Sequence, residues 1–392
     1  MGRTLLPPRL APLLWGLTLT TAFVANIAPL LFLIAFICAY DGGLAPLKAH
    51  KKLILALIGF ALWPCFAPLL TGGSLVFDSS SLRLVIVVLG TALVSRYDLR
   101  RVACGISIAL SLATVCVLAL NLFSFGLRPH LNWSPFFSRG AIYGLLAALS
   151  ASWALWGSGK LWPLYLCALG GGILLTYASV AYVAFIAQGL VFLLWCLVKK
   201  KAFFKTQGRT ILAALVLLFG LSLVVVAHEP IRTRFGRELA QLTSTNMNTF
   251  TTQRSHIWSI TAKNLRSHPF KALGWDRSAF SASWNEWLAQ EKDPPLTRVF
   301  DSPHNSLLQA ALIGGVPFAL AYLALILASG WALVRAFFSS AGSKPEVLVL
   351  CTSFAALLLA GLGESLVAAP YATFEMSWFP LLAPLFWRHH DA

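Results

Sequence analysis

The chain has 392 residues, of which 58% are hydrophobic and only 11% charged. Soluble domains carry roughly a quarter charged residues, so too few are present here to coat a globule of this size, and lipid is expected to cover much of the surface. The net charge of +16 does not point to nucleic acid: most basic residues sit in short clusters between apolar runs, as orientation signals do, and the rest concentrate in one long polar segment.

In chain order, Arg3 and Arg9 precede an apolar run that lacks a clear small-residue cleavage site, so a retained first helix is expected. A hydrocarbon core of ~30 Å takes ~20 helical residues. By that measure about twelve spans are predicted, at 9–25, 27–40, 53–71, 82–95, 102–125, 140–157, 161–178, 180–198, 210–227, 306–334, 347–364 and 374–388. The first two read alternatively as one broken pair around Asn26 and Pro29. Every second connection is basic: Lys48, Lys51 and Lys52; Arg96, Arg100 and Arg101; Lys160; Lys199, Lys200, Lys201 and Lys205; Arg335 and Lys344; then Arg388. The opposite short connections carry little: Arg83 and Arg128 near their edges, and Arg139 at a span entrance. This alternation predicts a multi-pass inner-membrane protein with both termini cytoplasmic. The seven cysteines lie in or beside apolar stretches without metal-ligand spacing and read as small hydrophobes; neither a disulfide nor a metal site is expected.

Residues 228–305 break the pattern of short loops, are polar and lie on the non-cytoplasmic side. They divide the chain into N-terminal spans (1–227), an external loop (228–305) and C-terminal spans (306–392). The apolar spacing of Ile231, Phe235 and Leu239, and of Ile257, Ile260 and Leu265, predicts helices over 230–243 and 254–265, interrupted by Gly274 and Pro294-Pro295. A small folded cap on the bundle is expected.

The sharpest motif is Asp301-Ser302-Pro303-His304-Asn305, where the loop re-enters the membrane. His304 stands at a helix N-terminus, where partial positive charge and unpaired N–H groups suit an anion. A neutral imidazole there can take a proton from an attacking hydroxyl. The plain alternative is capping by Ser302 or Asn305, with His304 merely at the interface. Asp301 reads either as a carboxylate partner for His304 or as a solvated cap. Arg254, opening the second loop helix, is suited to a diphosphate through its planar fork; a headgroup-facing Arg is the alternative. Arg266, Arg277 and Arg298 are candidates to attract anionic lipid or glycan, and Trp275, Trp284 and Trp287 either stack on sugars or dip into the interface. Glu364, an ionisable group near the outer end of a span, is a candidate acceptor contact.

Three features together resemble the O-antigen ligase family, which includes O-antigen polymerases: Arg254 with Trp258; the run His268-Pro269-Phe270-Lys271-Ala272-Leu273-Gly274; and His304-Asn305, nine residues, then Gly315. The resemblance implies an all-α, polytopic membrane protein with a GT-C-like fold, a large periplasmic loop and a metal- and cofactor-independent, inverting glycosyltransferase activity. The donor implied is a glycan on undecaprenyl diphosphate. The acceptor is lipid A-core for a ligase, or a second lipid-linked glycan for a polymerase. By that likeness Arg254 holds the donor diphosphate and His304 positions or deprotonates the acceptor hydroxyl. Asn305, Arg266 and Asp301 join them as substrate-binding candidates. The chain departs from the family in two places. An Arg is usual in a Thr-x-Ser/Thr-Arg context at the outer end of an earlier span, but the stretch here is Thr176-Tyr177-Ala178-Ser179-Val180; Arg139 is the candidate replacement. The pattern after Gly315 ends in Phe318, where Gly, Thr or Tyr is usual. Two readings of other classes compete: a polysaccharide transporter, which requires ionisable groups deep in the spans, and a non-catalytic assembly protein.

Overall fold

The computed structural model describes residues 10–21, 45–95, 99–125, 140–176, 178–199, 254–275, 277–290, 302–339, 344–368 and 373–387, with isolated positions between 216 and 245 and at 342. Thirteen α-helices and no strand occur among the described residues. They are α1 (Ala11–Thr21), α2 (Ala45–Ala49), α3 (Lys51–Phe66), α4 (Ser79–Val94), α5 (Leu99–Phe125), α6 (Gly140–Gly157), α7 (Trp162–Leu175), α8 (Ser179–Lys199), α9 (Arg254–Ser267), α10 (Arg277–Ala289), α11 (Ser306–Phe338), α12 (Pro345–Gly363) and α13 (Phe374–Phe386). Ten of the twelve expected spans coincide with these helices. The expected span 27–40 and most of 210–227 lie outside the described residues, as do Arg128, Arg139, Arg298 and Asp301. Of the expected helix 230–243, Thr233, Gly236 and Ala240 are helical and Thr243 is in a turn; its other residues lie outside the description.

Among the described residues, four stretches are long and apolar enough to cross a membrane: Lys51–Thr71, Ser179–Lys199, Ser306–Phe338 and Pro345–Gly363. Their outward side chains fit lipid as solvent. Ile186, Leu190, Leu194 and Leu197 stand exposed along α8, as do Leu320, Leu327, Trp331 and Val334 along α11. The opposite faces close a common core in which Trp15 of α1, Trp153 of α6 and Trp378 and Phe379 of α13 are buried. Phe379 lies 5.1 Å from Trp153 and 6.5 Å from Trp15, between ring centroids. Where α1 crosses α5, a Cβ on Gly16 would fall 2.0 Å from the Val102 carbonyl oxygen and one on Gly105 would fall 2.1 Å from that of Leu13. These small residues let two backbones touch where lipid gives helices no hydrophobic reason to associate.

The ends of the bundle differ. At one end His50 meets Phe386, Cys104 donates to the Gly157 carbonyl, and Lys199 lies over the Phe337 ring. The described members of the basic clusters fall at this end, at the starts of α3, α5 and α12 and the ends of α6, α8 and α11. The starts of α4, α11 and α13 define the other end. There Arg83, expected at the edge of a short connection, is instead buried in α4. Its Nε and Nη2 donate to the two carboxylate oxygens of Glu375, each at 2.7 Å, and its guanidinium carbon sits 4.6 Å from the centre of the Phe374 ring. Buried charges persist only when paired with such geometry.

Helix α11, the longest among the described residues, is interrupted at Gly314 (φ −131°, ψ 18°) and Gly315 (φ 78°, ψ 173°), roughly 12 Å in from its first residue. Pro317 has no N–H to offer Ile313, and the turn at Gly315 removes the neighbouring helical partners. A buried carbonyl without a partner is costly, and three around the break are satisfied from outside the helix. Leu273 N donates to Leu312 O (2.8 Å), Gly274 N to Ile313 O (3.0 Å) and Trp63 Nε1 to Gly314 O (2.8 Å), while Val316 N donates to Pro269 O (2.8 Å). The His-Pro-to-Gly run therefore docks onto the broken helix as a backbone splint.

The loop helices make their own small core. Ile257 and Ile260 of α9 pack with Phe280, Trp284 and Trp287 of α10 against Leu312 of α11. Trp275 instead enters the main core between Phe318 and Phe374, at 6.1 and 6.3 Å. All three tryptophans are buried, which corrects the expectation that they stack on sugars or dip into the interface.

Gly315 occupies a region of φ/ψ that side-chain-bearing residues avoid, and a Cβ there would meet the carbonyl oxygens of Pro269 (3.3 Å) and Phe270 (3.4 Å). Gly315→Ala is expected to cost about 1–3 kcal/mol and to loosen the splint. A lowered Tm in detergent and faster tryptic cleavage at the exposed Lys271 are the measurements.

Candidate functional site

The site is assembled where α9, the start of α11 and the end of α12 meet. Each element delivers one group for a local reason. Asn305, with extended backbone (φ −156°, ψ 125°), caps α11: its side-chain oxygen accepts from Leu307 N and Leu308 N, both at 3.0 Å. Its amide nitrogen donates to Leu362 O at 3.4 Å, tying the cap to α12. Ser306 strengthens the same joint, its hydroxyl donating to Glu364 O (2.9 Å) and accepting from Leu366 N (3.0 Å). Gln309, one turn on, accepts from Ala368 N at 3.1 Å. The chain leaving α12 is thus laced along the first turn of α11, which fixes Glu364 beside His304.

His304 has φ 48°, a left-handed conformation. For a non-glycine residue this costs of order 1–3 kcal/mol and persists only when its surroundings over-determine it. The surroundings do so: on one side Trp258 Nε1 donates to the Pro303 carbonyl (3.0 Å), and on the other Asn305 is locked by capping. Arg254 and Trp258, one helical turn apart, project from the same side of α9. The aromatic partner in the Arg-to-Trp motif therefore anchors the backbone just before the histidine.

One carboxylate joins the two motifs. Glu364 Oε1 accepts from Arg254 Nη2 at 3.0 Å, and Glu364 Oε2 lies 3.2 Å from His304 Nδ1. The three side chains are 25–29% exposed, so the cluster is open to incoming groups yet held from behind. Glu364 follows the last residue of α12 with extended backbone (φ −140°, ψ 156°). Gly363 before it leaves room for the guanidinium: a Cβ there would meet Arg254 Nη1 at 3.3 Å and Val180 Cγ2 at 3.2 Å.

Of the sequence candidates, Arg254 and His304 are brought together, with Asn305 at their base as a cap. Arg266 is not: it is exposed in the last turn of α9, roughly 18 Å along the helix from Arg254. A cavity of about 180 Å³ opens at that far end, lined by Asn264, His268, Lys271, Glu286 and Trp287 among others. Arg139 and Asp301 lie outside the described residues. Val180, in the stretch where the resemblance leads one to look for a second Arg, crowds the same face of Gly363 as Arg254 does. An apolar side chain therefore stands beside the guanidinium. Glu364, read in sequence only as an acceptor contact, is the group that holds the site together; a lone ionisable residue at the end of an apolar span is the signal that marks it.

These features define an all-α membrane protein with a cation, an imidazole and a carboxylate gathered under a folded cap at one end of its helix bundle. Residues 164–323 match the model of the O-antigen ligase family, which supports the resemblance read from the motifs. Members of that family are glycosyltransferase-like enzymes. The match takes in Arg254, Trp258, the His268–Gly274 run, His304 and Gly315, and ends before Glu364. A direct comparison with curated proteins finds no match.

Because the guanidinium lies so close to Gly363, Gly363→Ala is expected to displace Arg254 by a few tenths of an ångström without disturbing the cap. Activity should fall, by up to about 100-fold, with normal amounts of protein in the membrane. Transfer assays normalised to membrane abundance test this.

Proposed function

We propose that the protein is a glycosyltransferase of the O-antigen ligase type, moving a glycan from undecaprenyl diphosphate to a lipid A-core acceptor at the periplasmic face of the bacterial inner membrane. The observation that carries the reading is the meeting of Arg254 and His304, from separate elements, on the two oxygens of Glu364. With the basic end of the bundle cytoplasmic, as the positive-inside rule requires, this cluster faces the periplasm and both termini are cytoplasmic.

The chemistry demanded by such a donor fits the groups present. Its lipid tail stays in the bilayer, so the sugar and diphosphate must be met at the membrane surface. Arg254 binds the diphosphate and stabilises charge developing on the departing oxygen, a task that fixed cations perform without a metal. His304 takes the acceptor hydroxyl proton as its oxygen attacks the anomeric carbon from the face opposite the diphosphate, so the linkage inverts. Arg139 is the candidate second cation, in place of the Arg for which the chain carries Val180.

In a strain lacking the gene, complementation by Arg254→Ala or His304→Ala should yield no long-chain lipopolysaccharide at normal membrane abundance. Full restoration by either variant would sink the reading. On the same gels a ligase defect removes every long chain, whereas a polymerase defect leaves core plus one unit. Arg139→Ala should likewise abolish transfer; unchanged glycan would remove it from the site.

A further inference from the structure

We infer that Glu364 is a positioning residue for the transfer step: its carboxylate holds His304 in the tautomer that can act as a base and clamps Arg254 at the same time. The inference rests on the glycosyltransferase reading and adds a third group to it.

A carboxylate beside a site for a diphosphate is unfavourable on simple electrostatics, because it repels the substrate. Its placement has to be offset by something it does. The structure gives it two tasks, one per oxygen. Oε1 accepts from Arg254 Nη2 at 3.0 Å, which tethers one edge of the guanidinium. Oε2 lies 3.2 Å from His304 Nδ1. An ionised carboxylate can only accept, so Nδ1 must carry the proton, and in the neutral ring the lone pair is then on Nε2. The two contacts together set the imidazole and the guanidinium relative to each other, as a shared sugar diphosphate requires.

The backbone is built around this arrangement. The Ser306 hydroxyl accepts from Leu366 N and donates to Glu364 O, so the chain leaving Glu364 is pinned to the first residue of α11. The left-handed backbone of His304 occurs at the residue whose ring meets the carboxylate.

The step balances as follows. The acceptor O–H proton passes to His304 Nε2, and the freed oxygen pair forms the new bond to the anomeric carbon. The bond from that carbon to the diphosphate oxygen breaks, and its electron pair leaves with undecaprenyl diphosphate. The Glu364 carboxylate stabilises the imidazolium until the proton is lost to water.

Glu364→Gln and Glu364→Asp separate this role from packing. Gln keeps the size but replaces one acceptor oxygen with a donor; Asp keeps the charge and loses a methylene. The full-length chain in lipid nanodiscs is assayed with undecaprenyl-diphosphate-linked glycan as donor and lipid A-core as acceptor, and rates are normalised to folded protein. For Gln, kcat should fall about 100-fold while the donor KM stays level or drops, since a repelling charge has gone. Asp should retain more kcat than Gln. A wild-type kcat in Gln, or Gln equalling or exceeding Asp, would overturn the inference while leaving the glycosyltransferase reading in place. An inactive wild-type chain, or an active His304→Ala variant, would instead overturn that reading itself.

Discussion

The arrangement of the site depends on the splint between the His268–Gly274 run and the broken helix α11. A break in a buried helix leaves carbonyls without helical partners, so it survives only where another segment supplies donors. The loop supplies backbone N–H groups from Leu273 and Gly274, and Trp63 adds a side-chain donor. These bonds tie the loop that follows α9 to α11, and Trp258 bonded to Pro303 ties α9 itself to the chain entering α11. The position of Arg254 relative to His304 therefore follows from hydrogen bonds that the broken helix requires.

The residues that form the family-like pattern divide into two kinds when placed in space. Arg254 and His304 point functional groups into an open cluster. Trp258, Asn305, Leu273, Gly274 and Gly315 hold backbone in unusual conformations or satisfy orphaned groups. Most of the motif is thus scaffolding for two side chains, one of which pays a strain cost at His304.

Much of the bundle was legible in the sequence, because spans and basic connections follow from lipid thickness and charge asymmetry, which act locally along the chain. The helix at Arg254 was legible from apolar spacing, and the cap at Asn305 from residue type. Pairings between distant segments were not. Nothing near Arg83 reveals that Glu375 lies across the bundle from it, and nothing near Glu364 reveals that both its oxygens are used. The tryptophans misled for a related reason: an aromatic residue in a polar loop suits a sugar face as well as a private core, and only the partners Ile257, Ile260 and Leu312 decide between them. Val180 was seen as a missing charge, but its place next to Arg254 is a fact of packing between α8 and α12.

Leu312 belongs to two structures at once. It is a residue of a long apolar helix and part of the wall of the core that α9 and α10 build. The cap is therefore not a detachable module. During evolution, or in a laboratory chimaera, swapping the external segment alone between relatives would mismatch its core against a foreign helix face and leave the splint without its register. The structural unit is the loop together with the first turns of α11, so either part can be exchanged only along with the other.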